Sequence, residues 1–336
     1  MPAPPRTPTD FNSILEQVWW RLDSALDHQM IEWSAKLAAL EALESGTTCI
    51  IDHHESPNAI EGSLDVIASA CAEVGVRVKC AYGVTDRHSS SAHIPINPQP
   101  SVTDRPMATT DAARRGLAEN ERFLRAGGDG YVGVHAAFTC AQETLEAAAG
   151  LAVDLGVGVH IHVGEARADA DAGERLAGLA RDNWLLVHCV HLDRNLAGSI
   201  AHNPRSNMNN AVGYARPNPR PNTVVLGTDG IGADMLEEFR VAYARHREDD
   251  VTASPEPAWS WLTNGWTLFP DALTDAVEWS YQPMEPWHLA FSTGVCARSV
   301  RIGGRLVVSD GRVITVDADE IRTKAAEQAQ RLFARL

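Results

Sequence analysis

Apolar residues recur at helical spacing at the start of the chain, at Phe11, Ile14, Leu15, Val18, Trp19, Leu22 and Leu26, with Asp10 placed to cap the segment. A second helix is predicted over 29–44. Gly46-Thr47-Thr48 then breaks into the short apolar run Cys49-Ile50-Ile51. From there the pattern alternates. Helices at about 60–74, 109–126, 142–155 and 170–182 lead into apolar runs at 76–82, 131–135, 157–163 and 185–189. Further short runs lie at 199–202 and 224–228, and a helix follows at 233–247. Strands that alternate with helical crossovers signal a parallel sheet, and continuous short apolar runs are what a sheet covered on both faces requires.

Near the end, Ser299–Ile302, Arg305–Val308 and Val313–Val316 are predicted strands separated by Gly-Gly and Asp-Gly turns, with a terminal helix from Asp319 to Arg335. The loops 88–108 and 214–222 are rich in turn formers. The stretch 250–290 holds five of the nine tryptophans and fits neither period. The fold class expected is α/β, a distorted or incomplete (β/α)8 barrel with a small C-terminal β appendage. The expected division is 1–290 for the barrel and 291–336 for the final strands and helix. A closed barrel has eight strands and the pattern yields seven. Helix precedes the first of them, so the absent strand is expected to be the first. Its two exposed neighbours are expected to be covered by a partner chain or by 250–290.

Composition narrows the partners. The net charge is -15, which repels phosphate backbones and anionic membrane surfaces. A small-molecule substrate is expected, with no nucleic acid and no membrane. Six cysteines form no CxxC pair and read as buried thiols of a reducing compartment. No apolar leader and no apolar run of membrane-spanning length is seen, so the cytoplasm is the expected location.

The candidate chemistry sits where strands end. His160 and His162 share one face of a strand, and Glu165 follows where strand becomes loop. His188 ends the next strand. Asp229 lies between two glycines after Val-Val-Leu-Gly-Thr, and His135 ends Tyr-Val-Gly-Val. Asp52-His53-His54-Glu55 closes the first visible strand. Asn203, Arg205, Ser206, Asn207 and Asn209 form a polar stretch that binds substrate atoms or caps a helix. Each has a bland alternative: a satisfied core histidine, a solvated loop, a turn-forming aspartate. Their shared position at one end of successive strands points instead to a single pocket.

These residues resemble the amidohydrolase superfamily, and within it the SsnA-type aminohydrolase/chlorohydrolase branch. The resemblance is carried by Gly-Thr-Thr-Cys-Ile-Ile-Asp-His-His-Glu-Ser-Pro (46–57), Gly-Val-His-Ala-Ala-Phe-Thr (133–139), His-Ile-His-Val-Gly-Glu (160–165), Val-His-Cys-Val-His-Leu (187–192), His-Asn-Pro-Arg-Ser-Asn-Met-Asn-Asn-Ala-Val-Gly (202–213) and Gly-Thr-Asp-Gly-Ile-Gly-Ala-Asp-Met (227–235). It implies a metal-activated water that attacks a ring or amidine carbon, usually with loss of ammonia. It also implies roles: His162 and Asp229 as metal ligands, with Asp229 also taking a proton; Glu165 as proton shuttle; His188 as a polarising group; and His135 as a substrate contact. A homodimer is the family habit.

The chain departs from that pattern in lacking the N-terminal β segment and the His-x-His strand that supplies two further ligands. His53, His54 and Asn207 are candidate substrate contacts, and His53 or His54 could complete a zinc or iron site. Two ligands alone would leave it empty. Three readings follow: a metal-dependent hydrolase or deaminase, a metal-free descendant running acid–base chemistry with Glu165, Asp229, His162 and His188, or a non-catalytic binding or partner subunit.

Overall fold

The computed structural model describes residues 7–88, 93–97, 99 and 101–336. Seven parallel strands follow one another in space as in sequence: β1 (Cys49–His54), β2 (Arg77–Tyr82), β3 (Val132–Ala136), β4 (Val159–Val163), β5 (Leu185–His188), β6 (Ser199–His202) and β7 (Val224–Leu226). Every apolar run read from the pattern is a strand. The alternation within each run sets two layers. Val159, Ile161 and Val163 of β4 pack under the surrounding helices, together with Leu186 of β5 and Leu145 and Phe239. Leu185, Val187, Ala201 and Val225 face inward and pack with Ala81 and Tyr131, against which Ile51 and Leu268 lean. His160 and His162, on the inward parity of β4, share that lumen.

The wall has one loose joint. β1 pairs with β2 and β3 to β7 pair in series, but β2 meets β3 only through the bridges Cys80–Gly130 and Val84–Val134. The backbones approach closely there. A Cβ added to Gly130 would lie 1.9 Å from the Cys80 carbonyl oxygen, and one on Gly133 2.3 Å from that of Tyr82. Asn120 stitches the joint. Its Oδ1 accepts from the N–H groups of Tyr82 (2.9 Å) and Gly133 (3.2 Å), and its Nδ2 donates to the Tyr82 carbonyl at 2.9 Å.

Among the described residues there is no eighth parallel strand, and β1 and β7 do not pair. The irregular stretch supplies part of the cover. Trp259, Leu262, Trp266 and Trp279 line the same cavity as β1 and β7, yet no strand of this stretch joins either edge. The hydroxyls of Ser45 and Thr47, ahead of β1, donate to the carbonyl of Ala233, beyond β7 (3.0 and 2.8 Å).

The appendage is a four-stranded antiparallel sheet of β8 (Ala276–Trp279), β9 (Ala297–Ile302), β10 (Arg305–Ser309) and β11 (Arg312–Val313), in the order β11-β10-β9-β8. β8 comes from the stretch that shows no period. Val300, Val307 and Val308 pack on Leu40, Leu43, Ile67 and Ile321, joining this sheet to the helices His28–Glu44, Ser63–Val74 and Ala318–Phe333. Arg77 clamps Asp275 with two bonds of 2.9 Å. The helix expected over 170–182 is shorter, with a 3-10 turn at Arg167–Asp169 and one helical turn at Ala172–Leu176. Part of the 88–108 loop lies outside the described residues. No helix is long and apolar enough to cross a membrane.

Candidate active site

The C-terminal ends of β4, β5 and β7 open into one cavity of about 940 Å³, lined among others by His53, His54, His135, His160, His162, Glu165, His188 and Asp229. The backbone turns sharply at each strand end. His188 and Cys189 have φ of 69° and 54°, Asp229 has 54°, and Gly164 has 54°. Left-handed backbone is costly for residues with a Cβ and clusters at functional sites. It is held here by bonds from Cys189 N–H to the Val163 carbonyl (2.9 Å) and from His191 N–H to the Gly164 carbonyl (2.7 Å).

These turns bring three groups together. His188 Nε2 lies 3.4 Å from Glu165 Oε2 and 3.7 Å from Asp229 Oδ2. The short helix Pro204–Asn209, from the stretch read as polar, stands behind them. Asn207, 1% exposed, meets His188 Nδ1 with its Oδ1 at 2.8 Å. Ser206 Oγ donates to Asp229 Oδ2 at 2.6 Å, and the Gly230 N–H donates to Asp229 Oδ1 at 2.7 Å. Asn210 donates to Glu165 Oε1 at 3.3 Å.

The two carboxyl groups are driven apart in proton affinity. Burial, reinforced by the charge of Asp229, raises Glu165 to about 8. Burial also pushes Asp229 up, but the imidazoles of His188 and His162 and the bonds from Ser206 and Gly230 outweigh it, so Asp229 sits below the usual carboxylate range. Burial lowers His188, against the pull of Asp229 and Asn207.

His53, His135, His160 and His162 fill the lumen beside this cluster. His162 has its ring 5.4 Å from that of His188, and its Nδ1 meets the His135 carbonyl at 2.6 Å. His135 Nδ1 pairs with Thr139 Oγ1 at 2.9 Å. His53 and His160 meet Nδ1 to Nδ1, one ring donating and the other accepting. His54 pairs with Ser56 Oγ at 2.8 Å.

Several residues at the mouth carried no sequence signal. Trp20 lies 4.0 Å over the Arg87 guanidinium, and Asp23 lines the cavity. Asp169 accepts from the N–H groups of Gly164 (2.7 Å) and Phe138 (2.9 Å), fixing the turn that aims Glu165. Asn210 was within reach of sequence reasoning, because it lies four residues after Ser206 on a helical turn.

Comparison with known proteins decides the family: the profile of the amidohydrolase family matches residues 7–264. The chain belongs to the amidohydrolase family. This amidohydrolase is therefore a hydrolase of C–N bonds. It is 29% identical over 371 residues to the 5'-deoxyadenosine deaminase of Methanopyrus kandleri, covering 95% of this chain and 80% of that one. It is 27% identical over 372 residues to the 5-methylthioadenosine/S-adenosylhomocysteine deaminase of Desulforudis audaxviator, covering 94% and 79%. Its fold matches an adenosine deaminase from Xanthomonas campestris solved with bound zinc, at a TM-score of 0.77, 21% identity and coverage of 98% and 81%. It also matches an amidohydrolase from Brucella melitensis, at 0.75, 17% identity and coverage of 98% and 85%.

Among the described residues of this amidohydrolase, Glu165, His188 and Asp229 bring ligand atoms within 4.8 Å of one another. One imidazole and two carboxylates, open on the cavity side, form the kind of three-donor set that a catalytic divalent cation takes. His162 stands next to this set, while His53 and His54 are engaged with His160 and Ser56.

Proposed function

We propose that this amidohydrolase removes an amino group from a nitrogen-containing ring by hydrolysis, with ammonia as the leaving product, on an adenosine-like small molecule. The observation that carries the reading is the pair of carboxyl groups around one imidazole, with Glu165 raised to about 8 and Asp229 held ionised. Two such groups with separated proton affinities divide the work of acid and base. Asp229 takes a proton from the attacking water as its oxygen bonds to the ring carbon. Glu165 gives its proton to the departing nitrogen as the C–N bond breaks. The net change is amine plus water to hydroxyl, or its keto tautomer, plus ammonia.

His188 donates its Nδ1–H to Asn207 Oδ1, which leaves Nε2 unprotonated and turned toward the reacting centre as a metal-binding or proton-accepting atom. His135, on the cavity wall beside His162, faces the substrate, whereas His54 lies on the helix-side face of β1 against Ser56 and Tyr82. His188 and Asp229, with His162 next to them, would hold a zinc or iron ion, which leaves the protonated Glu165 free beside it to carry its proton. Such an ion supplies Lewis acidity that makes water a nucleophile near neutral pH. The relatives named as deaminases of 5'-deoxyadenosine and of 5-methylthioadenosine/S-adenosylhomocysteine support the substrate class.

The test is ammonia release by the zinc-loaded full chain from 5'-deoxyadenosine, 5-methylthioadenosine and S-adenosylhomocysteine. We expect turnover of at least one, and a loss of about 10²–10⁴-fold in kcat in Glu165→Gln. No ammonia from any of the three, or a Glu165→Gln variant as fast as the parent, overturns the reading. Activity that survives chelation and still needs Glu165 would move it to metal-free acid–base chemistry on the same residues.

A further inference from the structure

We propose that Asp23, Glu55 and Arg87, beneath Trp20, form a subsite of the active-site cavity that binds an uncharged, hydroxyl-bearing part of the substrate, such as the sugar of a nucleoside, and excludes an anionic one. The inference rests on the adenosine-like reading above and names what that substrate carries away from its reacting ring.

Three separate elements build the cluster. The segment Phe11–Ala25 makes a π-helical turn at Leu15–Trp19 before its last helix, Trp20–Ala25. Such turns occur frequently at functional sites. Trp19, Trp20 and Asp23 all line the cavity, as does Glu55, the residue after β1. Arg87, from the segment after β2, forms an ion pair with Glu55 and holds its guanidinium against the Trp20 ring. The rings of His188, His162, His135 and Trp20 follow one another at 5.4, 5.6 and 6.3 Å. The cluster therefore belongs to the same cavity as the reacting centre but stands away from it.

What points to a ligand is hydrogen-bonding capacity left over. Glu55 Oε1 is the oxygen that Arg87 holds. Arg87 uses Nη2 on Glu55 and Nε on Thr85 Oγ1, at 3.2 Å. Among the described residues, Glu55 Oε2, Arg87 Nη1 and Trp20 Nε1 have no hydrogen-bond partner. These side chains are 7%, 8% and 1% exposed, and a polar atom buried without a partner is destabilising. Burial and the charge of Glu55 raise Asp23 well above the usual carboxylate range, against the pull of Arg87. Its carboxyl thus keeps a proton and both donates and accepts.

A free acceptor, two free donors and a protonated carboxyl call for a group that donates and accepts at once. A hydroxyl does so with a single atom, whereas a carbonyl only accepts. Charge excludes the other ligand that an arginine suggests. Glu55 neutralises Arg87, and Asp23 adds a second carboxyl, so no positive charge is left over for a phosphate or carboxylate. The cavity wall carries Glu41 and Asp52 as well, and among the described residues it has no lysine or arginine.

The test is calorimetric titration of the zinc-loaded full chain with purine riboside, its 2',3'-dideoxy counterpart and its 5'-phosphate. None has an amino group to lose, so binding is read without turnover. We expect the riboside to bind at least about tenfold tighter than either of the others. Asp23→Ala should cut its preference over the dideoxy compound at least about threefold and leave binding of the dideoxy compound within about twofold. If circular dichroism shows that Asp23→Ala does not fold, the isosteric Glu55→Gln carries the same expectation. No binding of the riboside, equal binding of the dideoxy compound, tighter binding of the phosphate, or a preference unchanged in the folded variant would each sink the subsite. Ammonia released from adenosine by a chain without the preference sinks the subsite alone. The preference without ammonia release supports the subsite and sinks the deaminase reading alone.

Discussion

Asn120 offers a direct test of how the barrel wall holds together. Its side chain is fully buried and spans the joint where β2 and β3 fail to form a continuous ladder. Replacing it by leucine keeps the volume and removes both ends of the amide. The N–H groups of Tyr82 and Gly133 lose their acceptor, and the carbonyls of Tyr82 and Gly116 lose a donor (2.9 and 3.1 Å). A buried donor left without a partner costs about 1–3 kcal/mol, so the two N–H groups alone set an expected loss of about 2–6 kcal/mol. That is a large part of the 5–15 kcal/mol typical of a folded domain. The assay is urea unfolding followed by circular dichroism and by tryptophan fluorescence. As a control, Arg125→Ala on the same helix breaks only an exposed pair with Glu121 and should cost under about 1 kcal/mol. A loss below about 1 kcal/mol in Asn120→Leu would refute the reasoning, because β2 and β3 would then be satisfying each other without the amide.

Other outcomes test the site and its surroundings. Asn207→Ala frees the imidazole of His188 to rotate and should weaken zinc binding about 10–100-fold in a competition titration with a chelating dye, while the melting temperature changes little. An unchanged affinity would remove Asn207 from any positioning role. Ala211 follows the helix Pro204–Asn209 with φ of 52° and an exposed side chain, where glycine is the preferred residue. Ala211→Gly should therefore stabilise the fold by up to about 1 kcal/mol in the same unfolding assay, and a destabilised variant would show that the turn is held by packing.

Much of this architecture was legible because β3 to β7 are buried on both faces for most of their length. Runs such as Leu185-Leu-Val-His and Val224-Val-Leu have no polar alternation to confuse them, and all seven emerged from the pattern. β8 was not legible, because an edge strand half exposed along its length needs no apolar pattern. The single helical turn Ala172–Leu176 was read as a longer helix, since periodicity does not report where a crossover is cut short. The candidate site was legible as positions, since His188 ends a strand and Glu165 and Asp229 each follow one. It was not legible as partnerships. The contact of His53 with His160 joins strands that are not neighbours in the wall, and Asp169 reaches Gly164 and Phe138 through a turn that no local signal marks.

The backbone at the cavity mouth ties these observations together. Among the described residues, six with side chains have left-handed φ, and three of them, His188, Cys189 and Asp229, lie at the ends of β5 and β7. Each costs on the order of 1–2 kcal/mol relative to a right-handed or extended conformation. Folding alone gives no reason to place such residues there, since glycine would make the same turns without that cost. Glycine, however, carries neither an imidazole nor a carboxylate. The turn at His188 sends its ring out of the strand direction toward Glu165 and Asp229, with Asn207 fixing Nδ1 from behind. The turn at Asp229 leaves one oxygen on Ser206 and the other on its neighbour's N–H, with the carboxylate still 30% exposed to the cavity. At His188 and Asp229, strain kept in place by so many bonds, where the side chain's chemistry benefits, is better accounted for by a reacting centre than by a relic of one.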